Sequence, residues 1–174
     1  QSGDLAGAAT LFDEWMAAIA DQPGEISSTR ARRLTSLGEL HQFAGQRDRA
    51  EEAYRQALFV RRAIYGDRHP QVASSLIDLA LLSNRGPEAD SLASQAVTLL
   101  RGSYPDGHPQ LASALRSHGI VLERLGRYAD AVAPLRSALE IRRRLLGANT
   151  VDVARTELDL SLALTMKGNA AEAE

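Results

Sequence analysis

Four histidines, His41, His69, His108 and His118, are the residues best suited by type to ligate a metal or move protons near neutral pH. Their spacing argues against both roles. No two lie four apart, no HExxH helix occurs and the chain has no cysteine, so a zinc-ligand set and a thiolate nucleophile are both missing. His69 and His108 each precede a proline in matching segments, which marks them as repeat features that cap or pack a helix start. His118 falls on an apolar stripe and reads as a satisfied interior histidine. Asp13-Glu14, Glu51-Glu52 and Glu172 sit on predicted helix surfaces without partners at acid–base spacing. The phosphate loops GxxxxGKS/T and GxGxxG and the nucleophile elbow GxSxG do not occur. The reading is therefore of a protein with no catalytic residue, no metal site and no cofactor.

Charge narrows the partners. Twenty basic residues stand against 22 acidic ones, a net charge of −2 over 174 residues. That balance, with 5% aromatics, excludes a strongly basic nucleic-acid binder. No apolar run approaches the roughly 18 residues of a membrane span, and no secretory signal opens the chain, so neither membrane insertion nor export is expected and a cytoplasmic location is. Nineteen of the 20 basic residues are arginine, the exception being Lys167. Arg61-Arg62 and Arg142-Arg143-Arg144 close predicted helices, where cations complement the helix dipole.

The elements that position these residues are repeats. Gly66-Asp67-Arg68-His69-Pro70-Gln71-Val72-Ala73 returns as Asp106-Gly107-His108-Pro109-Gln110-Leu111-Ala112, and in degraded form as Gly147-Ala148-Asn149-Thr150-Val151-Asp152-Val153-Ala154. The aligned alanines Ala31, Ala73, Ala112 and Ala154 are 42, 39 and 42 residues apart. Small residues recur at Gly38, Ala80, Gly119 and Ser161, turn glycines at Gly3, Gly45, Gly126 and Gly168, and alanines at Ala57, Ala96 and Ala138. The short spacing has a cause: Arg85-Gly86-Pro87-Glu88-Ala89 is a shortened turn, and Pro87 suits the first turn of a helix.

Each unit predicts two helices. Leu76, Leu79, Ala80 and Ser83 share one face of the first, and Tyr128, Ala131, Leu135, Ala138, Leu139 and Arg142 form the stripe of the second. Gly66, Gly102 and Gly147 read as second-helix ends. The small-residue rows are places where helix backbones approach closely. The register gives a half-unit over 3–26, with Leu5, Ala8, Phe12, Trp15 and Met16 on its apolar face. Repeats over 27–68, 69–107 and 108–149 and a partial repeat over 150–174 follow, as expected for a piece of a longer array.

Leu34, Leu37-Gly38, Gly45, Ala50, Tyr54 and Ala57, and again Leu115, Gly119, Gly126-Arg127-Tyr128, Ala131 and Ala138, resemble tetratricopeptide repeats. The 42-residue spacing and Ala138-Leu139-Glu140-Ile141-Arg142-Arg143-Arg144-Leu145-Leu146-Gly147 resemble the kinesin-light-chain type, in a chain whose arginine bias suggests a bacterial protein. The Asn-Asn pair of kinesin light chains is replaced by Thr35-Ser36, Ile77-Asp78, Arg116-Ser117 and Leu158-Asp159. The resemblance implies an all-α, right-handed superhelical solenoid of antiparallel helix pairs, with first helices lining a concave face that binds an extended peptide.

Under that geometry the groove residues are Arg32, Ser36 and Glu39, then Ile77, Asp78 and Leu81, then Arg116, Ser117 and Ile120, and finally Arg155, Asp159 and Leu162. Leu158 lies beside the last group. The arginines suit bidentate pairing with a carboxylate, so an acidic segment is the candidate partner. The expected role is a non-catalytic protein-interaction scaffold. The alternatives are a regulatory array of a larger protein kinase or ATPase, and a homo-oligomer formed by stacking of array ends.

Overall fold

Helix starts and stops along the chain are set by a few residues with clear physical roles. A computed structural model describes residues 26–172, together with Gly7, Thr10, Leu11 and Glu14. From Ile26 onward the described residues form seven helices: α1 (Ser28–Phe43), α2 (Arg47–Tyr65), α3 (Pro70–Leu82), α4 (Gly86–Ser103), α5 (Pro109–Arg124), α6 (Tyr128–Leu146) and α7 (Val151–Glu172). No strand occurs among them. Most of the expected half-unit over 3–26, including Leu5, Ala8, Phe12, Trp15 and Met16, lies outside the described residues.

The chain divides into two compact units, Gln1–Leu82 and Ser83–Glu174. In the first, α2 packs on both α1 and α3. Its core includes Ala31, Leu34, Ala57 and Val60, with Ile64 against them. In the second, α5 packs on α4 and α6, α6 packs on α7, and α5 also touches α7. Leu122, Ala131, Val132, Leu135 and Ala163 form a core there, flanked by Leu160.

The repeat features act as expected at most boundaries. Gly45 and Gly126 take φ of 73° and 72° in the turns between first and second helices, a conformation that a Cβ penalises. Pro70 and Pro109 open α3 and α5, where a missing N–H is not needed. The histidine before each proline caps the helix. His69 Nδ1 accepts from the Gln71 amide at 3.2 Å and His108 Nδ1 from the Gln110 amide at 3.1 Å. Each ring stacks on the tyrosine four residues earlier, Tyr65 and Tyr104, with centroids 4.4 and 4.1 Å apart.

Two glycines depart from expectation. α4 runs through Gly102 to Ser103, and the left-handed residue in that linker is Gly107, at φ 87°. Gly168, expected in a turn, lies inside α7. Ala170 and Ala171 are strong helix formers. Among the described residues no helix folds back onto α7 there, so nothing competes with continued helical hydrogen bonding.

The small-residue rows are close approaches except at Ser161, which is exposed. Ala57, Ala96 and Ala138 are completely buried. A Cβ on Gly38 would fall 2.4 Å from the Tyr54 ring, and one on Gly119 2.5 Å from Leu135 Cγ. Tyr54 and Leu135 hold the same position in their second helices, so a bulky side chain in one helix is matched by a missing one in its neighbour. Gly119→Ala therefore gains helix propensity but overpacks a buried leucine, a net loss of roughly 1–3 kcal/mol. Gly168→Ala, where no atom stands within 4 Å, is expected to leave stability equal or slightly raised. Thermal unfolding of the two variants checks this, and equal melting temperatures would contradict the close-approach account.

Candidate interaction face of the first helices

α1 and α3 flank α2, and α5 and α7 flank α6, so each unit presents two first helices beside one second helix. On α1, Arg32, Ser36 and Glu39 are exposed. On α3, Ile77, Asp78 and Leu81 are half-buried, as are Arg116, Ser117 and Ile120 on α5. On α7, Arg155 and Leu162 are exposed and Asp159 is half-buried.

The structure brings two of these residues directly together. Arg116 Nε donates to Asp159 Oδ2 at 2.5 Å, joining α5 to α7. Both were expected as separate contacts for a partner; instead each neutralises the other. Glu123, on the same side of α5, has its carboxyl raised above the usual range. Burial is the main cause, the Asp159 charge adds to it and Arg116 opposes it. Arg32 in the first unit and Arg155 in the second carry no ion pair among the described residues.

The residues the sequence reading missed lie one layer down. Arg61 and Arg142 were expected as cations complementing the helix dipole at second-helix ends, Arg142 also on the apolar stripe of its helix; both are buried. Each sits four residues after a completely buried alanine, Ala57 or Ala138, on the side of the second helix that meets the first helices. Each guanidinium is therefore met mainly by protein acceptors. Arg61 donates to Ser75 Oγ on α3 and, at 3.0 Å, to Thr35 Oγ1 on α1. Arg142 donates to Thr156 Oγ1 at 2.6 Å and the Asp152 carbonyl at 3.0 Å, and to Ser113 Oγ on α5 at 3.3 Å. In both units one guanidinium ties the first helix of its own pair to the first helix of the next. Burial lowers the pKa of both arginines, partly offset by the Asp78 charge near Arg61 and the Asp152 charge near Arg142.

Around Arg61 the α1–α3 face is acidic. Burial pushes Asp78 up to about 6 from its ordinary 3.8; Arg61 pulls it back and Glu39 pushes it further up. The Tyr54 hydroxyl, donating to Gln42 Oε1 at 3.0 Å, is likewise raised, by burial first and then by the Asp78 and Glu39 charges.

His118 is half-buried, and its Nε2 lies 2.7 Å from Asp90 Oδ1. Asp90 accepts on its other oxygen from Arg127 Nη1 at 2.5 Å. His118 thus reaches a carboxylate on α4, a partner 28 positions away that no spacing announced. Among the described residues no group of three histidine, aspartate or glutamate side chains is placed to hold a metal ion. No described helix is long and apolar enough to cross a membrane.

The profile of the tetratricopeptide repeat matches residues 29–86, 82–144 and 110–174. The chain belongs to the tetratricopeptide repeat family. Solved structures agree. A Podosopora anserina protein with nearly identical TPR-like repeats of the kinesin light chain kind is 20% identical, with a TM-score of 0.80 over 99% of this chain and 83% of that one. BtubC (BKLC) from P. vanneervenii is 21% identical, with a TM-score of 0.79 over 98% of this chain and 70% of that one. The apo form of RapI is 16% identical, with a TM-score of 0.75 over 95% of this chain and 45% of that one. At these identities the likeness shows the fold. No curated protein sequence matches the chain significantly.

The raised Asp78 carboxyl has a stability consequence. Its folded pKa lies above the unfolded one, so the folded state binds the extra proton between about pH 4 and 6, and stability from this group falls as pH rises through that window. Asp78→Asn removes the term. The variant's melting temperature relative to the parent should rise between pH 4 and 7, corresponding to about 3 kcal/mol. A difference independent of pH would contradict the assignment.

Proposed function

We propose that this chain, which has the tetratricopeptide repeat fold that generally serves protein–protein interaction, is a non-catalytic scaffold whose first-helix faces hold an extended segment of a protein partner. The observation that carries this reading is on α7. Leu158 and Leu162 are 71% and 51% exposed, and lie three and seven residues after Arg155, which is exposed and has no ion pair among the described residues. These spacings put all three on one side of the helix.

An apolar pair beside a free guanidinium suits a segment with a hydrophobic anchor followed by a carboxylate. Half-buried Ile77 and Leu81 on α3 and Ile120 on α5 offer further shallow apolar contacts in their own units. Arg116 contributes little to gripping an acid, because Asp159 already occupies it. The acidic partner expected from three arginines therefore rests on Arg155 in the second unit and, separately, on Arg32 in the first.

A fluorescent library of acidic and apolar 15-residue peptides, screened by anisotropy, tests this. Binders should lose at least tenfold in affinity on Arg155→Glu or Leu162→Asp, both exposed changes that leave helicity by circular dichroism intact. Affinities unmoved by either variant would remove α7 from the binding face.

A further inference from the structure

The second unit carries a groove on the side away from the residues just described. α5 packs against α4 and against α6, but α4 and α6 do not pack on each other. The gap between them is a cleft of about 590 Å³ floored by Leu115, His118 and Leu122 of α5. A second hollow shares Asp90, Ser94 and Arg127 with it and reaches Pro87. Together they run along α4 from Pro87 to Arg101, roughly 21 Å at the helical rise of 1.5 Å per residue. That length takes about six residues of extended chain.

The walls suit a peptide backbone. Ser94 and Thr98 on α4 and Ala129, Ala133 and Ser137 on α6 are short side chains that let another main chain come close. Pro134, inside α6 and on the cleft wall, has no N–H for the usual bond to the Asp130 carbonyl four residues back.

Charge then selects the occupant. Asp90 is taken by His118 and Arg127, and Asp130 accepts from Arg127 Nε at 2.8 Å. These bonds tie α4 to α5 and to the start of α6, so the cleft exists before any partner arrives. Both lining carboxylates are thus engaged, sharing the Arg127 guanidinium. The remaining cation, Arg101, is exposed and carries no ion pair among the described residues. We propose that the α4–α6 cleft is a second docking groove, independent of the first-helix face, that takes an extended acidic segment of a partner protein with a carboxylate on Arg101. His118 is the polar member of the floor and stands where other first helices place Leu37, Leu79 and Leu160.

The test is selection from a displayed random dodecapeptide library on the whole chain, with counter-selection on Ala133→Trp, which fills the cleft from an exposed position. Thermal melts verify that each variant folds. Surviving peptides should be enriched in Asp and Glu. They should bind at least tenfold more weakly to Arg101→Glu and to Ala133→Trp, and within twofold of the parent to Arg155→Glu. Recovery of no peptide, or of peptides indifferent to Arg101→Glu, overturns the proposal. Peptides that respond to Arg155→Glu instead would also overturn it while supporting the first-helix reading, so the two sites fail separately.

Discussion

A buried guanidinium must be met by hydrogen-bond acceptors, and in this chain that requirement falls on the helices that form the interaction face. Desolvating a cation is costly, and the cost is recovered only when several well-aimed acceptors surround it. Arg142 finds three, on α5 and on both the first turn and the buried side of α7. Arg61 finds hydroxyls on α1 and α3. Hydrogen bonds are directional where apolar contacts are not, so each arginine fixes the sliding position of one first helix against the next. The corresponding residue of α4 is Leu100, also buried. An apolar side chain can therefore fill this place, and what arginine adds is register.

Once register is fixed, the rest of the first-helix face follows. The alanine rows let backbones approach, and the exposed side of each first helix is carried into a defined place. Arg116 and Asp159 lie one repeat apart plus one residue, and meet only because α5 and α7 are held in step. The same packing sets α4 and α6 each against α5, with the cleft between them. Both faces are consequences of one helix order.

Much of this was legible in the sequence. The rows of Ala57, Ala96 and Ala138, the His-Pro helix starts and the turn glycines Gly45 and Gly126 all keep one period, because backbone geometry tolerates few residue types there. Arg142 even lay on the apolar stripe of its helix, a signal that it points inward, but an arginine in a last turn reads equally well as a solvated cation. Ion pairs were less legible. Asp90, His118 and Arg127 come from three elements, and their meeting depends on packing angles that periodicity does not encode. Gly168 looked like Gly45 and Gly126, yet its helix continues, since a turn glycine permits a turn without compelling one.

The most direct measurement is a double-mutant cycle by denaturant unfolding with Arg142→Met, Thr156→Val and their combination. If the guanidinium holds α7 through the buried Thr156 hydroxyl, the two changes should be non-additive, with a coupling of about 1.5–3 kcal/mol, as for a hydrogen bond to a charged group. Losses that simply add, within about 0.5 kcal/mol, would mean that apolar packing alone sets the register and that the buried arginines are incidental.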